Sequence, residues 1–354
     1  MATATAYAQA REAVLRICDR DEDARTLRLE VLSAIRRVVE FDAYAWLLTD
    51  PETSVGSSPL ADVPCLADLP QLIRLKYLTT VNRWTGLLVP VATLSEATGG
   101  DLSKSAMWQK LLFRYHVSDI ASSVYRDRFG CWGFLDLWRT QTAPPFISAE
   151  IKLLHEIAGP VTAALRRGQA RTFVPSGASD QVPRGPVVLV LSPSLEVRAQ
   201  TPTTQRYLRV LVPPDSEDQA PIPASAYNVA AQLLATEAGV DGNPPVARVH
   251  LANGVWLTLR ASRLDATAPA SEQDIAVSIE MASPHDRVSV FARAFALSSR
   301  ERELLDHLVS GADTRETAGR MFVSEHTVQD HLKSIFSKTA TRNRRTLLAR
   351  AIGA

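Results

Sequence analysis

The hydrophobic residues of the last sixty positions recur at helical spacing in separate short blocks. The apolar positions are Leu304, Leu305, Leu308 and Val309 in the first block and Val328, Leu332, Ile335 and Phe336 in the third. Side chains three or four positions apart lie on one face of an α-helix, so each block predicts a helix with one apolar face. With a further helix expected from Arg342 to Ile352, the pattern predicts an all-α unit over residues 297–354.

Polar residues mark where these helices begin and end. Ser298 to Glu301 and Asp313 to Glu316 follow the capping-box pattern, in which a side-chain oxygen accepts a backbone N–H and a carboxylate three residues later reaches back. Gly311 ends the first helix, and the second runs to about Met321. After a tight turn at 322–323, Ser324 is placed to cap the third helix. The predicted order is helix, helix, tight turn, helix. This is the arrangement that places a recognition helix in a DNA major groove.

The region before residue 168 mixes helical and strand patterns. The predicted elements are an amphipathic helix at 24–40, a strand at 43–48, a strand pair at 120–125 and 131–138, and a long helix at 144–167 capped by Ser148. Between the first strand and about Tyr115 the pattern predicts irregular, largely helical structure. This order of elements indicates an α+β domain.

A second α+β unit is predicted after a linker rich in Gly, Ser and Pro at residues 169–186. The predicted strands are 187–191, 195–199, 247–251, 255–264 and 275–281, and the predicted helices are 203–210 and 224–238. Asn253-Gly254 is a turn of the hairpin type between two of these strands. The unit covers 187–283, and a linker helix at 284–296 connects it to the C-terminal unit.

Composition and charge limit the classes of function that fit this sequence. The chain has 354 residues, 46% of them hydrophobic, which is enough to build two or three ordinary cores. Its net charge is only +1, yet residues 298–354 hold ten Lys and Arg against seven Asp and Glu, with no acidic residue after Asp330. A local basic excess of this kind suits one phosphate-contacting face. The N-terminus lacks a signal-peptide core and no apolar run reaches the length of a membrane span, so a cytoplasmic protein without membrane association is expected.

Cysteine and histidine usage gives no sign of a metal site. Cys18, Cys65 and Cys131 are odd in number, far apart and without zinc-ligand spacing, so we expect buried thiols. No nucleophile elbow, phosphate loop or paired-carboxylate motif is present, and we expect no enzyme activity. We expect neither a metal nor a catalytic residue.

The C-terminal sequence resembles the DNA-binding domain of LuxR/GerE-type transcription regulators. The resembling residues are Arg300-Glu301-Arg302-Glu303, Ser324-Glu325-His326-Thr327-Val328, His331 and Lys338, within nearly sixty residues without a gap. The chain departs from the family pattern at Thr317, Thr339 and Ala340. A left-handed cap at Ala340 would cost roughly 1 kcal/mol of strain. Gly319 inside the second helix costs about as much relative to alanine.

Roughly residues 22–168 resemble a GAF domain, which assigns residues 1–168 to a GAF-like sensor domain. Residues 187–283 are similar in element order to a PAS domain. The GAF resemblance is carried by Gly133-Phe134-Leu135-Asp136-Leu137 and by Phe146-Ile147-Ser148-Ala149-Glu150 with the helix that follows. It implies a small-molecule effector of unknown identity between sheet and helices. The tryptophans that would line the pocket are Trp46, Trp84, Trp108, Trp132 and Trp138. The alternative is that they are ordinary core aromatics.

The predicted fold class is therefore a multidomain α+β protein, with GAF-like and PAS-like sensor domains, followed by an all-α four-helix LuxR-type helix-turn-helix domain. The LuxR resemblance places base-edge contacts at Gln329, Asp330 and Lys333. It places DNA-backbone contacts at Ser324, Thr327 and Lys338. A glutamine side chain pairs with adenine, an aspartate accepts a hydrogen bond from cytosine and a lysine reaches guanine. The alternative is that this polar side of the helix only faces solvent.

The resemblance also implies an assembly. It places a dimer contact on the fourth helix, at Leu348 and Ile352, so duplex DNA and a second copy of the chain are the expected partners, with RNA polymerase as a further candidate. The function predicted is a one-component, effector-responsive transcriptional regulator. The alternative is a signalling scaffold or enzyme whose C-terminal helical unit serves protein contacts.

Overall fold

Two five-stranded antiparallel sheets precede a group of four short helices in the computed structural model of the protein. The structure describes residues 2–141, 143–173, 187–211, 222–251, 255–264, 269 and 272–353, with the backbone alone at 209–211. This arrangement agrees with the predicted order of two α+β regions and a helical C-terminal unit. Among the described residues no helix has both the length and the apolar character needed to cross a membrane.

The first sheet has the strand order β2-β1-β5-β4-β3. Its strands are β1 (Ala43–Thr49), β2 (Gly56–Asp62), β3 (Val91–Thr93), β4 (Val117–Asp127) and β5 (Gly130–Thr140). The predicted first strand and the predicted strand pair are confirmed as β1, β4 and β5. The edge strands β2 and β3 were not predicted, because β3 has three residues and β2 (GSSPLAD) lacks apolar alternation. The proline of β2 is tolerated because an edge strand has N–H groups that need no ladder partner.

Helices cover both faces of this sheet. They are α1 (Ala4–Cys18), α2 (Ala24–Arg36), α3 (Leu69–Leu78), α4 (Leu94–Thr98), α5 (Ala106–Lys110) and α6 (Ser148–Arg171). On one face Trp46 and Leu135 share a core with α1, α2 and α6, and on the other Trp138 shares a core with α3, α4 and α5. Successive residues of a strand point to opposite faces of the sheet. When both faces are covered, the sequence of each strand is therefore almost continuously apolar.

The boundaries of α6 differ from the sequence expectation. Ser148 is the first helical residue and not the cap; the helix is preceded by Ile147, whose N–H donates to the Glu150 carboxylate at 2.8 Å. The other oxygen of the same carboxylate accepts from Arg139 at 2.6 Å, so Glu150 joins the start of α6 to β5. At its other end α6 continues to Arg171, so the first three residues of the predicted linker are helical. Thr172 and Phe173 follow as a turn, and the remaining linker residues, 174–186, lie outside the described residues.

The second sheet repeats the strand order of the first, as β7-β6-β10-β9-β8. Its elements are β6 (Val188–Leu191), β7 (Val197–Gln200), α7 (Thr204–Leu211), α8 (Ala224–Glu237), β8 (Val246–His250), β9 (Trp256–Arg263) and β10 (Ile275–Met281). All five strands and both helices were predicted within a few residues. The predicted Asn253-Gly254 turn lies outside the described residues, although β8 and β9 pair antiparallel up to His250 and Trp256.

The two α+β units pack against each other through α8 and a set of ion pairs. Small residues such as Ala226 and Ala230 allow α8 to lie between the second sheet and the first unit, and nearly every residue of the helix is buried. Arg248 on β8 holds the fully buried Asp50 with two side-chain contacts at 2.6 and 2.7 Å. Arg83 reaches Asp241 at 2.6 Å. The relative position of the units is thus fixed by specific buried contacts.

The linker helix α9 (Pro284–Ala294) is capped by Ser283 and agrees with its predicted position. The four C-terminal helices are α10 (Ser299–Val309), α11 (Thr314–Met321), α12 (Glu325–Thr339) and α13 (Arg344–Ile352). Phe291 of α9 packs edge-on against Phe173, which in turn stacks on Trp256 of the second sheet. One continuous core therefore runs from the first unit through α9 into the C-terminal helices.

A carboxylate of the first unit joins α9 to both sheets. Glu52 accepts from Ser289 of α9 at 2.6 Å, pairs with Arg248 of the second sheet at 2.8 Å and lies 3.5 Å from Arg293 of α9. Burial alone raises the pKa of Glu52, but the Ser289 hydrogen bond and the two arginines lower it to about 2. Glu52 is therefore a charged contact shared by three elements.

Candidate nucleic-acid interface

The turn between α11 and α12 fixes the start of the helix predicted to recognise DNA. Phe322 adopts a left-handed backbone conformation with φ 56°, which turns the chain, and the Val323 N–H donates to the Ala318 carbonyl at 3.0 Å. The Ser324 hydroxyl then accepts the Thr327 N–H at 3.1 Å, as a cap does. Both predicted capping boxes and this cap are confirmed.

An apolar underside holds α12 on the neighbouring helices. Val328 and Ile335 are completely buried, and Leu332 nearly so, in the same core as Leu304 and Leu308 of α10. Because 3.6 residues make one turn, burying this stripe leaves the side chains about half a turn away in solvent. The exposed side of α12 is thus fixed by the packing of its apolar side.

The buried carboxylate of Glu301 ties α10 to α12. It accepts from the Ser298 N–H as the second half of a capping box, from Ser334 at 2.6 Å and from Lys338 at 2.6 Å. Burial alone raises the pKa of Glu301, but the hydrogen bonds from Lys338, Ser334 and Ser298 lower it to about 2. A single charged group therefore sets the position of α12 relative to α10.

The exposed face of α12 brings together five of the six residues predicted to contact DNA. Gln329, Asp330 and Lys333 lie in solvent on the middle turns, with Ser324 and Thr327 at the N-terminal end. Lys333 Nζ donates to Asp330 Oδ1 at 3.2 Å across one helical turn, so the two charges are partly neutralised by each other.

The sixth predicted contact residue, Lys338, lies apart from this face. Its ammonium is engaged with Glu301, and 37% of its side chain remains exposed. His326, which belongs to the motif resembling the family but not to the predicted contact residues, is 83% exposed on the first turn of α12, with its Nε2 3.6 Å from Asp330 Oδ2. A spacing of four residues places these two side chains on the same side of the helix.

Comparison with known proteins identifies the family of the C-terminal helical segment. Residues 296–351 match the family model described as bacterial regulatory proteins, luxR family. They form a LuxR/GerE-type helix-turn-helix domain. The match covers the four C-terminal helices and none of the two sheets.

Similar curated proteins match over the same segment. The CsgBAC operon transcriptional regulatory protein of Escherichia coli is 46% identical over 48 residues, which are 14% of this chain and 22% of that protein. The probable HTH-type transcriptional regulator GfsR of Streptomyces halstedii is 40% identical over 60 residues, or 17% of this chain and 25% of that protein. The spore germination protein GerE of Bacillus subtilis is 38% identical over 48 residues, or 14% of this chain and 65% of that protein. The matches to the first two relatives thus span about a quarter of those proteins or less.

Among solved structures, the crystal structure of Escherichia coli SdiA aligns with 97% of this chain and 96% of its own, at 13% identity and a TM-score of 0.35. A phage VqmA complex aligns with 47% of this chain and 80% of its own, at 18% identity and a TM-score of 0.22. Scores this low carry no argument about the two sheets.

The departures of the domain from the family pattern are accommodated locally. Thr317 is fully buried and donates its hydroxyl to the Asp313 carbonyl at 2.6 Å. Thr339 is also fully buried and donates to the Ile335 carbonyl at 2.8 Å. Ala340 adopts the expected left-handed cap, with φ 49°. The two hydroxyls are thus satisfied, and of these three departures only Ala340 carries backbone strain.

The predicted dimer residues lie on α13, which packs against α9 of the same chain. Leu348 and Ile352 are half-buried against the shared core, while Leu347 and Ala351 are completely buried. The Arg287 guanidinium of α9 donates to the Arg350 carbonyl at 3.3 Å. The fourth helix therefore joins the domain to α9 and keeps part of its apolar face in solvent.

The five tryptophans predicted to line an effector pocket are not brought together. Trp46 and Trp132 belong to the core beneath α1, α2 and α6, and Trp108 and Trp138 to the core beneath α3 to α5. Trp84 borders a cavity of about 10 Å³ between the two units. The space left there is about what one water molecule needs.

Trp84 is held by a buried polar group. Its indole stacks on Phe134 at 4.9 Å and donates to Asp136 at 2.9 Å, while Lys76 pairs with Asp136 at 2.9 Å and lies 4.4 Å from the indole ring. Lys76 and Asp136 are both nearly inaccessible to solvent. The indole thus fills a site that combines an aromatic surface with an ion pair.

Proposed function

We propose that the protein is a sequence-specific DNA-binding transcriptional regulator. The observation that carries the proposal is the solvent-facing polar side of α12, in a segment that is a LuxR/GerE-type helix-turn-helix domain. A helix capped at its N-terminus and held by buried contacts has the size to enter a major groove. The relatives described above as transcriptional regulators support the same role for this chain.

In this proposal Gln329, Asp330 and Lys333 read base edges, and Ser324 and Thr327 contact the sugar-phosphate backbone. Lys338 also contacts a phosphate with the part of its side chain left exposed by Glu301. A bidentate base contact contributes about 1–3 kcal/mol of discrimination. A phosphate contact contributes to binding of every sequence and to its salt dependence.

The test is a binding selection with the full-length protein on a library of duplexes, followed by titrations at several salt concentrations. Replacing Lys333 by alanine should relax the preference at one base pair and weaken the selected site by about 1–3 kcal/mol. Replacing Lys338 by alanine should weaken all sequences and reduce the salt slope by about one unit. Identical behaviour of the two variants would contradict the assigned roles. Salt-independent binding, or none, would favour the alternative of a scaffold that uses these helices for protein contacts.

We further propose that the two sheet units are the GAF-like and PAS-like sensor regions of this regulator, and that the first responds to a small-molecule effector. Their identical strand order supports a common architecture. The buried site at Trp84 supports an effector position, since a ligand that displaced the indole would meet Phe134, Lys76 and Asp136.

This effector proposal is tested by thermal shift of the full-length protein with fractionated cell extract. A ligand that binds only the native state raises the unfolding temperature. Trp84→Ala should change the response and Trp108→Ala, which belongs to a separate core, should leave it unchanged. An absence of any shift in every fraction would favour a structural role for the first unit.

We propose that the regulator acts as a homodimer. One recognition helix makes few base contacts, so specificity requires two half-sites related by a protein two-fold axis. Leu348 and Ile352 are the contact we assign between DNA-binding domains, since α13 keeps both partly exposed. Footprinting tests this: the wild type should protect an inverted repeat, and Leu348→Glu, present in both copies, should weaken protection of both half-sites together. Protection of a single asymmetric half-site that Leu348→Glu leaves unchanged would contradict the two-fold model.

A further inference from the structure

The outer face of α2 is a surface without a partner in the described part of the chain. The helix buries Leu27, Val31 and Ile35 in the core of the first unit. At about 100° per residue, the opposite face is centred on Ser33. The side chains around Ser33 on that face are Thr26, Leu29, Glu30, Arg36 and Arg37, none of them fully buried.

A groove runs along each side of this face. The groove between α1 and α2 has a volume of about 340 Å³ and includes Ile17 and Arg37. The groove between α2 and β1 has the same volume and includes Leu29 and Tyr44. Leu29 is 41% exposed, which makes it one of the few large apolar side chains of the first unit in solvent. Both grooves have mixed linings of charged and apolar side chains. A helix with a small residue at its centre and a groove on each side leaves room for close packing of a second helix.

The charges on this face complement themselves in one orientation. Around the helix, Glu30 and Arg37 lie on the same flank of Ser33. Along the helix axis, Glu30 lies about 4.5 Å before Ser33 and Arg37 about 6 Å after it. An antiparallel second α2, related by a two-fold axis through Ser33, places Glu30 of each copy beside Arg37 of the other. A parallel arrangement instead brings Arg36 beside Arg37. Within the described residues Arg37 forms no ion pair of its own, and Glu30 is paired with Arg20 at 2.8 Å.

We propose that the outer face of α2 binds α2 of a second copy of this chain, antiparallel, with Ser33 at the two-fold axis. The contact buries Leu29 against the aliphatic part of Arg36 in the partner and pairs Glu30 with Arg37 twice. The inference specifies a surface for the homodimer in the proposed function and rests on that homodimer. It places the dimer contact of the sensor regions at a position separate from α13.

The experiment uses full-length protein and sedimentation equilibrium. Glu30→Arg and Arg37→Glu each place like charges opposite each other twice, and each should raise the dimer dissociation constant at least about tenfold. An equimolar mixture of the two variants should dimerise again, because at both contacts an arginine of the first variant then faces a glutamate of the second. Lys110→Glu, a charge reversal at an exposed position of α5, is the matched control and should leave the dimer unchanged. Circular dichroism confirms that each variant is folded.

A second measurement tests the axis itself. Ser33→Cys should form an intermolecular disulfide when diamide is added, since residues on a two-fold axis meet their own copies. The natural thiols do not interfere, because Cys18, Cys65 and Cys131 are all buried. Lys110→Cys should remain uncrosslinked under the same conditions.

The outcomes separate this surface from the proposed function. A dimer whose mass is unaffected by either charge reversal, and that gives no crosslink at position 33, overturns the α2 surface while leaving the regulator a dimer. A wild-type chain that is monomeric at all concentrations overturns both the surface and the homodimer. Binding of each variant to a single half-site duplex, measured in parallel, should equal wild type, since α12 is not altered.

Discussion

Replacing Lys338 by alanine tests whether Glu301 positions the recognition helix. The substitution removes one of three hydrogen bonds to a carboxylate whose side chain is 4% exposed. Losing one partner of a buried ion pair costs about 3–5 kcal/mol. Here Ser334 and the Ser298 N–H remain, and Lys338 is itself more than a third exposed, so solvent screens the pair. We therefore expect a local destabilisation of about 1–2 kcal/mol.

The pKa of Glu301 gives an independent check on that magnitude. Its lowering from 4.5 to about 2 corresponds to about 3 kcal/mol shared among all the donors. A carboxyl whose pKa is lowered by folding adds stability above its unfolded pKa of 4.5 and loses it as the pH falls towards 2. In the Lys338→Ala variant the pKa of Glu301 rises towards its unfolded value, so the acid-sensitive loss still begins near pH 4.5 but is smaller and is complete at a higher pH than in the wild type.

Hydrogen exchange of the full-length protein, followed by mass spectrometry, measures the effect where it occurs. Peptides from α10 and α12 should exchange about five- to thirtyfold faster in the variant, while peptides from the two sheets are unchanged. Lys333→Ala is the matched control, since Lys333 contacts only the exposed Asp330 in the described structure. Equal exchange of α10 and α12 in both variants would refute the role given to Glu301.

Two further substitutions test the fold. Ala340→Gly should stabilise the C-terminal domain by about 1 kcal/mol because it removes the strain of a left-handed alanine, and slower exchange at the end of α12 would show it. Arg248→Met should destabilise the packing of the two units by about 3–5 kcal/mol in urea unfolding, because it leaves the fully buried Asp50 unpaired. Arg260→Met, which breaks an ion pair that is half exposed on its arginine side, is its control and should cost less than about 1 kcal/mol.

The local signals in the sequence predicted the C-terminal domain accurately. Capping boxes, a glycine stop and an apolar stripe each act within a few residues, so their outcome depends little on the remaining chain. The same holds for the linker helix, whose Ser283 cap and Pro284 define its start. The exposed face of α12 followed directly from its buried stripe.

The long-range contacts were not predictable from one sequence. Nothing in the local pattern around Asp50 or Glu52 indicates that Arg248, nearly two hundred residues later, binds both carboxylates. The predicted pocket grouped the tryptophans by residue type. In the fold Trp46 and Trp132 lie in the core on one face of the sheet, and Trp108 and Trp138 lie in the core on the other. The LuxR resemblance implies only a DNA-backbone contact for Lys338. The capping box accounts for only one partner of Glu301, the Ser298 N–H, so the sequence gives no sign of the Lys338–Glu301 pair.

The burial of α9 has a consequence for proteolysis. Its two arginines, Arg287 and Arg293, are trypsin sites, and both lie largely within contacts to the sheet units and α13. A protease cleaves the transiently opened chain, so cleavage at these positions requires α9 to leave its place. The rate of cutting between the sheets and the DNA-binding domain therefore measures how often the domain is released. Comparing that rate with and without duplex DNA shows directly whether the docked or the released form is the one that binds.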